Sequence, residues 1–468
     1  MNKYRYLLEN VLVFGIGNVL SKVVAFFLLS LFTRYLTPAE FGDGELVVTT
    51  ISLLIPVLTL CISDAVMRYL LDNEKSEKII TSGILITIAG CFILLLLSPL
   101  VCFFDFLSKY YIYIVLLFLF NSFEQLFFNI DKGLELIKTC AFNSLVAVTT
   151  LVLSSYVFLV VLSWGLKGYI LSIIVSHAFC SIYLFVLGRL HLYCDYKTVD
   201  KTLLKRMLAY SVPFIPSVIA WWLNSVSNRY LIVFFLGSSF NGLFSAAAKI
   251  PNVISIFTSI FHQAWTISGI KEFKEDSYSL FYSNIYSVFS AFMFILCSLL
   301  IITAPFLGDL LFKGDFYSAW QYVPFMILGA LFSSLCGMLQ PAFLASEKTG
   351  SLMISTIIGV VINIVLNVAL LKLFGLQIAA IASFLSFLAV WIIRWRMASK
   401  IVRISINWLL FITSILLIVT ESVLLLLESR LNIWCMFTML MIIVVNIEGI
   451  RTPLRKTYSL IASRYRKS

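Results

Sequence analysis

The chain has 468 residues, of which 61% are hydrophobic and only 12% charged, against about 45–50% and about 25% in soluble domains. A mean hydropathy of +1.01 excludes a soluble enzyme, a disordered chain and a disulfide scaffold. What remains is a polytopic helical membrane protein, because the strands of a transmembrane β-barrel alternate apolar and polar residues and these segments do not.

A bilayer core about 30 Å thick needs about 20 apolar residues at helical rise. Taken in chain order, that rule predicts spans at 9–33, 44–71, 79–103, 110–130, 139–163 and 168–188. A basic, polar loop follows, then spans at 208–236, 241–270, 279–304, 317–345, 351–373 and 376–396, and two last ones at 405–427 and 431–449. The fold class is therefore all-α, with about 14 transmembrane helices. The first span is too long for a signal-peptide core and lacks a small-x-small cleavage site, so it is expected to be retained. The loop divides the chain into an N-terminal lobe at 1–190, a cytoplasmic linker at 191–207, a C-terminal lobe at 208–400, and two extra spans with a basic tail at 401–468. A weak internal repeat supports two halves. Phe32-Thr33-Arg34-Tyr35-Leu36 leads to Ala39-Glu40-Phe41-Gly42, and Asn228-Arg229-Tyr230-Leu231 leads to Ser239-Phe240-Asn241-Gly242. Each reads as a tight outside turn joining the first two spans of its half, and parallel repeats of this kind are common in transporters.

The net charge of +11 reads as topology. With the N-terminus in the cytoplasm, the inside segments hold twenty-four Lys and Arg residues and the outside loops six. Both termini are then cytoplasmic, and the surplus faces anionic headgroups.

Four cations fall inside spans: Lys22, Arg68, Arg229 and Lys249, alongside the acids Asp64 and Glu124. An ionisable side chain at the bilayer centre costs about 2.5–3.5 kcal/mol on insertion scales, so it faces a partner or a wet cavity. At 100° per residue, Ser217, Trp221, Asn224, Ser225, Asn228 and Arg229 share one face of span 7. Ser245, Lys249, Asn252, Ser259 and Gln263 share a stripe of span 8, and Asn18 and Lys22 share a face of span 1 with Gly15. These stripes predict a hydrated cationic cavity; polar helix–helix packing is the competing reading. Such a cavity suits an anion, because Arg grips phosphate bidentately and Lys acts as a point charge. Trp221, Trp222, Trp265 and Tyr230 offer flat faces for sugars or, equally, aromatic packing. Asp64 and Arg68 are spaced i,i+4 and can pair. For Asp64 and Glu124, ion coupling and simple charge pairing both stay open. His177, His191 and His262 have no metal-ligand spacing, the nine cysteines form no CxxC pair, and no GxxxxGK[ST] loop is present, so neither a metal nor a nucleotide cofactor is expected.

Four motifs resemble a known family. Ser21-Lys22-Val23-Val24-Ala25-Phe26 is similar to the Ser-Arg-x-x-Gly-Phe of polysaccharide and lipid II flippases. Arg34-Tyr35-Leu36-Thr37-Pro38-Ala39-Glu40-Phe41-Gly42 resembles the R-x-L-x-P-x-x-F/Y-G turn of Wzx-type flippases. Trp222-Leu223-Asn224-Ser225 through Asn228-Arg229-Tyr230, then Gly242 through Pro251, looks like their N-x-x-D-R-Y … G-x-Y-x-x-A-x-K-I segment, with Asn228 in place of Asp. Asn363-Ile364-Val365-Leu366-Asn367, then Phe374-Gly375-Leu376-Gln377-Ile378-Ala379-Ala380, resembles N-x-x-L-N … F-G-x-x-G-A-A.

The resemblance implies the multidrug/oligosaccharidyl-lipid/polysaccharide exporter fold: two pseudo-symmetric six-helix lobes, MATE-like, plus two C-terminal helices. The implied activity is flipping of undecaprenyl-diphosphate-linked oligosaccharide repeat units from the cytoplasmic to the periplasmic leaflet of a bacterial inner membrane, for O-antigen (lipopolysaccharide) or capsule assembly. No bond is made or broken, so the chain is expected not to be an enzyme and to need no cofactor. Expected partners are the lipid-linked glycan, membrane lipids, a polysaccharide polymerase and a chain-length regulator, with no nucleic acid. The candidate cavity residues are Lys22, Arg229, Lys249, Asn18, Asn224, Asn228 and Trp221, with Asp64, Arg68 and Glu124 in coupling or pairing roles. A multidrug/cation antiporter of the same superfamily is disfavoured by the cationic cavity. A membrane-embedded polymerase is disfavoured by the short outside loops.

Overall fold

The computed structural model describes residues 23–24, 26–71, 76–97, 105–193, 200–271, 273, 278–346, 348–428, 433–447 and 451. They are helical almost throughout, and contacts group the chain into two compact units, Met1–Val226 and Ser227–Ser468. By length and composition ten of the helices can cross a membrane, and shorter apolar helices at Phe26–Tyr35, Val226–Leu236 and Ile433–Ile447 add to them.

The first unit contains α1 (Phe26–Tyr35), α2 (Pro38–Leu58), α3 (Ile62–Leu71), α4 (Ser76–Leu96), α5 (Asp105–Gly133), α6 (Ile137–Ser155), α7 (Gly165–Leu187), α8 (Lys201–Ser211) and the start of α9 (Ile215–Leu236). A π-helical turn, Tyr156–Val161, extends α6. Span 2 begins earlier than the predicted 44, because Thr37 and Glu40 form a reciprocal capping box with Pro38 in the first turn. It is also not one helix. After Pro56, Leu60 and Cys61 adopt φ of 55° and 52°, so α3 leaves in a new direction. Span 7 starts late: Pro213 sits in a 3-10 turn, Val212–Phe214, and the residues before it form the separate short helix α8.

α8 is amphipathic. Its Leu203 and Met207 are buried with Ile62, Val66, Ile80 and Phe127 in one core of the unit, while Lys201, Lys205 and Arg206 stay exposed. Asp200 caps its N-terminus through the Thr202 and Leu203 amides and reaches Lys78 of α4 at 3.2 Å. At Gly44 of α2, an added Cβ would lie 2.6 Å from the Tyr169 ring of α7. That closeness lets the Tyr169 hydroxyl donate to Glu45 at 2.9 Å.

The second unit takes in the rest of α9, α10 (Ser238–Ala247), α11 (Asn252–Lys271), α12 (Tyr278–Leu311), α13 (Val323–Met338), α14 (Gln340–Ala345), α15 (Thr349–Phe374), α16 (Gln377–Ala398), α17 (Trp408–Glu428) and α18 (Ile433–Ile447). The α9–α10 corner needs Gly237, whose φ is +94°. Span 8 is broken at residues 248–251, where Pro251 lacks the N–H that a continuous helix needs. Span 10 is broken after Met338. Carbonyls at the break find side-chain donors on three helices: Trp265 Nε1 at 2.9 Å and Tyr282 Oη at 2.7 Å bond Met338 O, and Arg394 Nη1 bonds Cys336 O at 3.4 Å. Polar pins hold α17 and α18: Ser298 Oγ donates to Glu421 at 2.9 Å and Asn446 Nδ2 to Ser414 Oγ at 2.8 Å. In hydrocarbon, where apolar packing discriminates little, such bonds fix partners. Cys61, Cys140, Cys180, Cys297, Cys336 and Cys435 are buried free thiols in this packing.

Candidate functional site

Asn18 and Lys22 lie outside the described residues, as do the side chains of Trp221, Asn224, Ser217, Ser225 and Gln263. Each remaining candidate belongs to one unit.

In the second unit, Arg229 is half-buried on α9, and Lys249 is half-buried in the break between α10 and α11 rather than on a continuous helical stripe. The break separates Ser245 from Asn252 and Ser259. Ser245 is fully buried, whereas Asn252 and Ser259 are exposed.

Asn228 is 7% exposed and sits at the centre of a neutral polar knot. Its Nδ2 donates to Ser383 Oγ of α16 at 2.7 Å, and its Oδ1 accepts from Asn367 Nδ2 of α15 at 3.1 Å. Asn367 also donates to Asn363 O at 2.8 Å and keeps its own Oδ1 without a partner. Asn228 therefore ties α9 to α15 and α16. Arg394 is half-buried on α16. Its guanidinium bonds Ser355 Oγ and Thr356 Oγ1, each at 2.9 Å.

In the first unit, Glu124 of α5 has two partners. One oxygen accepts from Asn143 Nδ2 of α6 at 3.1 Å, and the other contacts His177 Nδ1 of α7 at 2.5 Å. The Cys180 thiol lies beside it. Asp64 and Arg68 are exposed on one face of α3 and line a common pocket with Met67, Leu71, Tyr210, Phe214 and Val218.

The aromatic candidates separate. Trp222 is buried and donates to Thr49 O at 3.2 Å and Ser52 Oγ at 3.0 Å. Trp265 is buried against Met338 O. Both are packing anchors whose faces are not open to a sugar.

Sequence reasoning missed His177, Asn143 and Ser383. His177 was set aside for lacking metal spacing. The available signal was the polar run on α7, Ser172, Ser176, His177 and Ser181, of which the first two meet α6 and the last two meet Glu124 and Phe120 O of α5. Ser176 bonds Ala147 O at 2.8 Å and Ser154 bonds Ser172 O at 3.2 Å.

The arrangement offers cations held within apolar spans, a carboxylate–imidazole pair and a neutral amide knot.

Known structures agree on the fold. The chain is similar to a lipid II flippase MurJ in an inward closed conformation, at 12% identity and a TM-score of 0.68, covering 96% of this chain and 100% of that one. It is also similar to an inward-facing multidrug resistance MATE family transporter of the MOP superfamily, at 14% identity and a TM-score of 0.64, covering 83% of this chain and 98% of that one. A Vibrio cholerae MATE transporter, VcmN, matches at 12% identity and a TM-score of 0.57, covering 85% and 97%. No curated protein sequence matches the chain. Residues 7–266, more than half the chain, match the family described as polysaccharide biosynthesis protein, and the chain is a multi-pass membrane protein that belongs to that family.

Proposed function

We propose that the protein flips undecaprenyl-diphosphate-linked oligosaccharide repeat units from the cytoplasmic to the periplasmic leaflet of a bacterial inner membrane, supplying O-antigen or capsule assembly. It moves its substrate by alternating access and makes no bond. The observation that carries this reading is Arg229, a half-buried guanidinium in a long apolar helix of a polysaccharide-biosynthesis family member. A cation held there stabilises an anion that must leave water, and a guanidinium matches the two oxygens of a phosphate. Lys22 and Lys249 add charge, Asn18, Asn224 and Trp221 complete the polar lining, and the glycan occupies hydrated space while the lipid tail stays in the bilayer. A polysaccharide polymerase and a chain-length regulator receive the product. Both termini and the loop that carries α8 face the cytoplasm. A multidrug antiporter would favour cationic cargo, which these cations repel.

The test is complementation of a flippase-deletion strain at matched protein level. Arg229→Ala and Lys22→Ala are expected to abolish or strongly reduce surface polysaccharide and to accumulate the lipid-linked unit. Lys22→Arg is expected to work, since the demand is for charge. Wild-type polysaccharide from both alanine variants would end the cationic-cavity reading.

A further inference from the structure

The pocket on α3 has a composition that the flippase reading does not use. Its volume is about 340 Å³ and it lies wholly within the first unit, at the lower end of the roughly 300–1,000 Å³ typical of ligand pockets. Asp64 and Arg68 supply a carboxylate and a guanidinium one helical turn apart. Met67, Leu71 and Val218 supply an apolar wall, and Tyr210 and Phe214 supply two rings.

Those rings are fixed in place. Tyr210 meets Phe214 edge-on at 5.3 Å and Tyr69 at 6.3 Å, and Arg206 lies over the Tyr69 ring at 5.9 Å. Tyr210 and Phe214 are 38% and 40% exposed, so part of each ring stays open in the pocket while ring contacts hold it. The flanking helix α8 carries its exposed basic face on the side that the charge bias makes cytoplasmic.

Three occupants can be weighed. An acyl chain would lie against a carboxylate and a guanidinium, a poor match for hydrocarbon. A bare phosphate would meet Arg68 but also the like charge of Asp64. A neutral polyol with an apolar face suits every wall. Its hydroxyls donate to the Asp64 carboxylate and accept from the Arg68 guanidinium, and its C–H face lies on Tyr210 or Phe214.

We propose that this pocket is a sugar-binding subsite on the cytoplasmic side of the first unit, reading a sugar of the lipid-linked glycan before translocation. The inference rests on the flippase reading for the identity of the ligand, and it assigns to Asp64, Arg68, Tyr210 and Phe214 the selection of glycan over bare lipid diphosphate.

The experiment measures binding to the full-length protein in lipid nanodiscs. The probes are farnesyl diphosphate and its glucose-, galactose- and N-acetylglucosamine-linked forms. At least one sugar is expected to tighten binding about 10-fold over farnesyl diphosphate, the effect of one charge-assisted hydrogen bond. Asp64→Asn, which keeps shape, and Tyr210→Ala are each expected to remove most of that gain, with farnesyl diphosphate affinity unchanged and the unfolding temperature close to that of the parent. Tyr210→Phe is expected to keep the gain. The inference is overturned if no sugar in the set tightens binding, or if the gain survives in both Asp64→Asn and Tyr210→Ala. Absence of farnesyl diphosphate binding to the unmodified protein would overturn the lipid-diphosphate reading itself, and this inference with it.

Discussion

Asn228 is bonded on both its donor and its acceptor side, so removing it takes one bond each from Ser383 Oγ and Asn367 Nδ2, which keep only their bonds within their own helices, to Ala379 O and to Asn363. Asn228→Ala is expected to destabilise the second unit by about 1–3 kcal/mol, read as a lowered unfolding temperature, while Ser383→Ala, which removes one of the two Asn228 bonds between helices, costs less. Glu124 is different in kind, because it is a half-buried carboxylate held between an imidazole and an amide of two other helices. Glu124→Gln separates its two proposed roles: flipping is expected to lose any dependence on an imposed pH gradient under ion coupling and to keep it under simple charge pairing, as rates measured with and without the gradient decide. Charges standing alone in apolar runs were readable from sequence, which is how Arg229, Lys249 and Glu124 emerged. The partners of Glu124 and Asn228 were not. Asn143, His177 and Ser383 are ordinary polar residues whose meaning depends on which helix faces which, and that pairing is long-range.

At the scale of elements, local chemistry decides the ends and tertiary packing the bends. The Leu203 amide, then the Lys78 ammonium and the Thr202 amide, hold the Asp200 carboxyl below the usual carboxylate range. A depressed folded value means that this support for α8 is present above the ordinary carboxylate value, about 3.9, and is lost as pH falls through the lower folded value. Asp200→Asn keeps a competent cap but loses the charge pair, whereas Asp200→Ala loses both. Hydrogen exchange at the Thr202 and Leu203 amides is expected to rise slightly in the first and clearly in the second. Gly44→Ala places a methyl against a ring that its own hydroxyl bond to Glu45 keeps from moving, and is expected to cost about 1–3 kcal/mol by overpacking. The capping box at Thr37 and Glu40 was legible in the sequence, although it was read as a turn. The bend at Leu60 and Cys61 was not legible, because two apolar residues in left-handed conformation carry no local signal and only Pro56 hinted at an ending.

For the whole molecule, the pattern of apolar runs is enough to predict its helical, many-span architecture, since lipid leaves the backbone few alternatives. The exporter-type fold was legible only through motif order, and the exact glycan lies below the resolution of any motif. Orientation rests on the distribution of Lys and Arg. Reporter fusions are expected to be periplasmic at Leu376 and cytoplasmic at Arg466; a periplasmic reporter at Arg466 would reverse the odd–even count of spans.

The central claim is that half-buried cations carry a lipid-linked diphosphate across the bilayer, and it is tested most directly in reconstituted vesicles. The purified protein is placed in liposomes with a fluorescent undecaprenyl-diphosphate-linked oligosaccharide, and the fraction reachable by an external quencher is followed over time. The account predicts protein-dependent exchange between leaflets that falls about 10- to 150-fold in Arg229→Ala, the cost of losing a charge-assisted contact of about 1.5–3 kcal/mol. Exchange at the wild-type rate in Arg229→Ala, or no exchange by the wild-type protein, would contradict it.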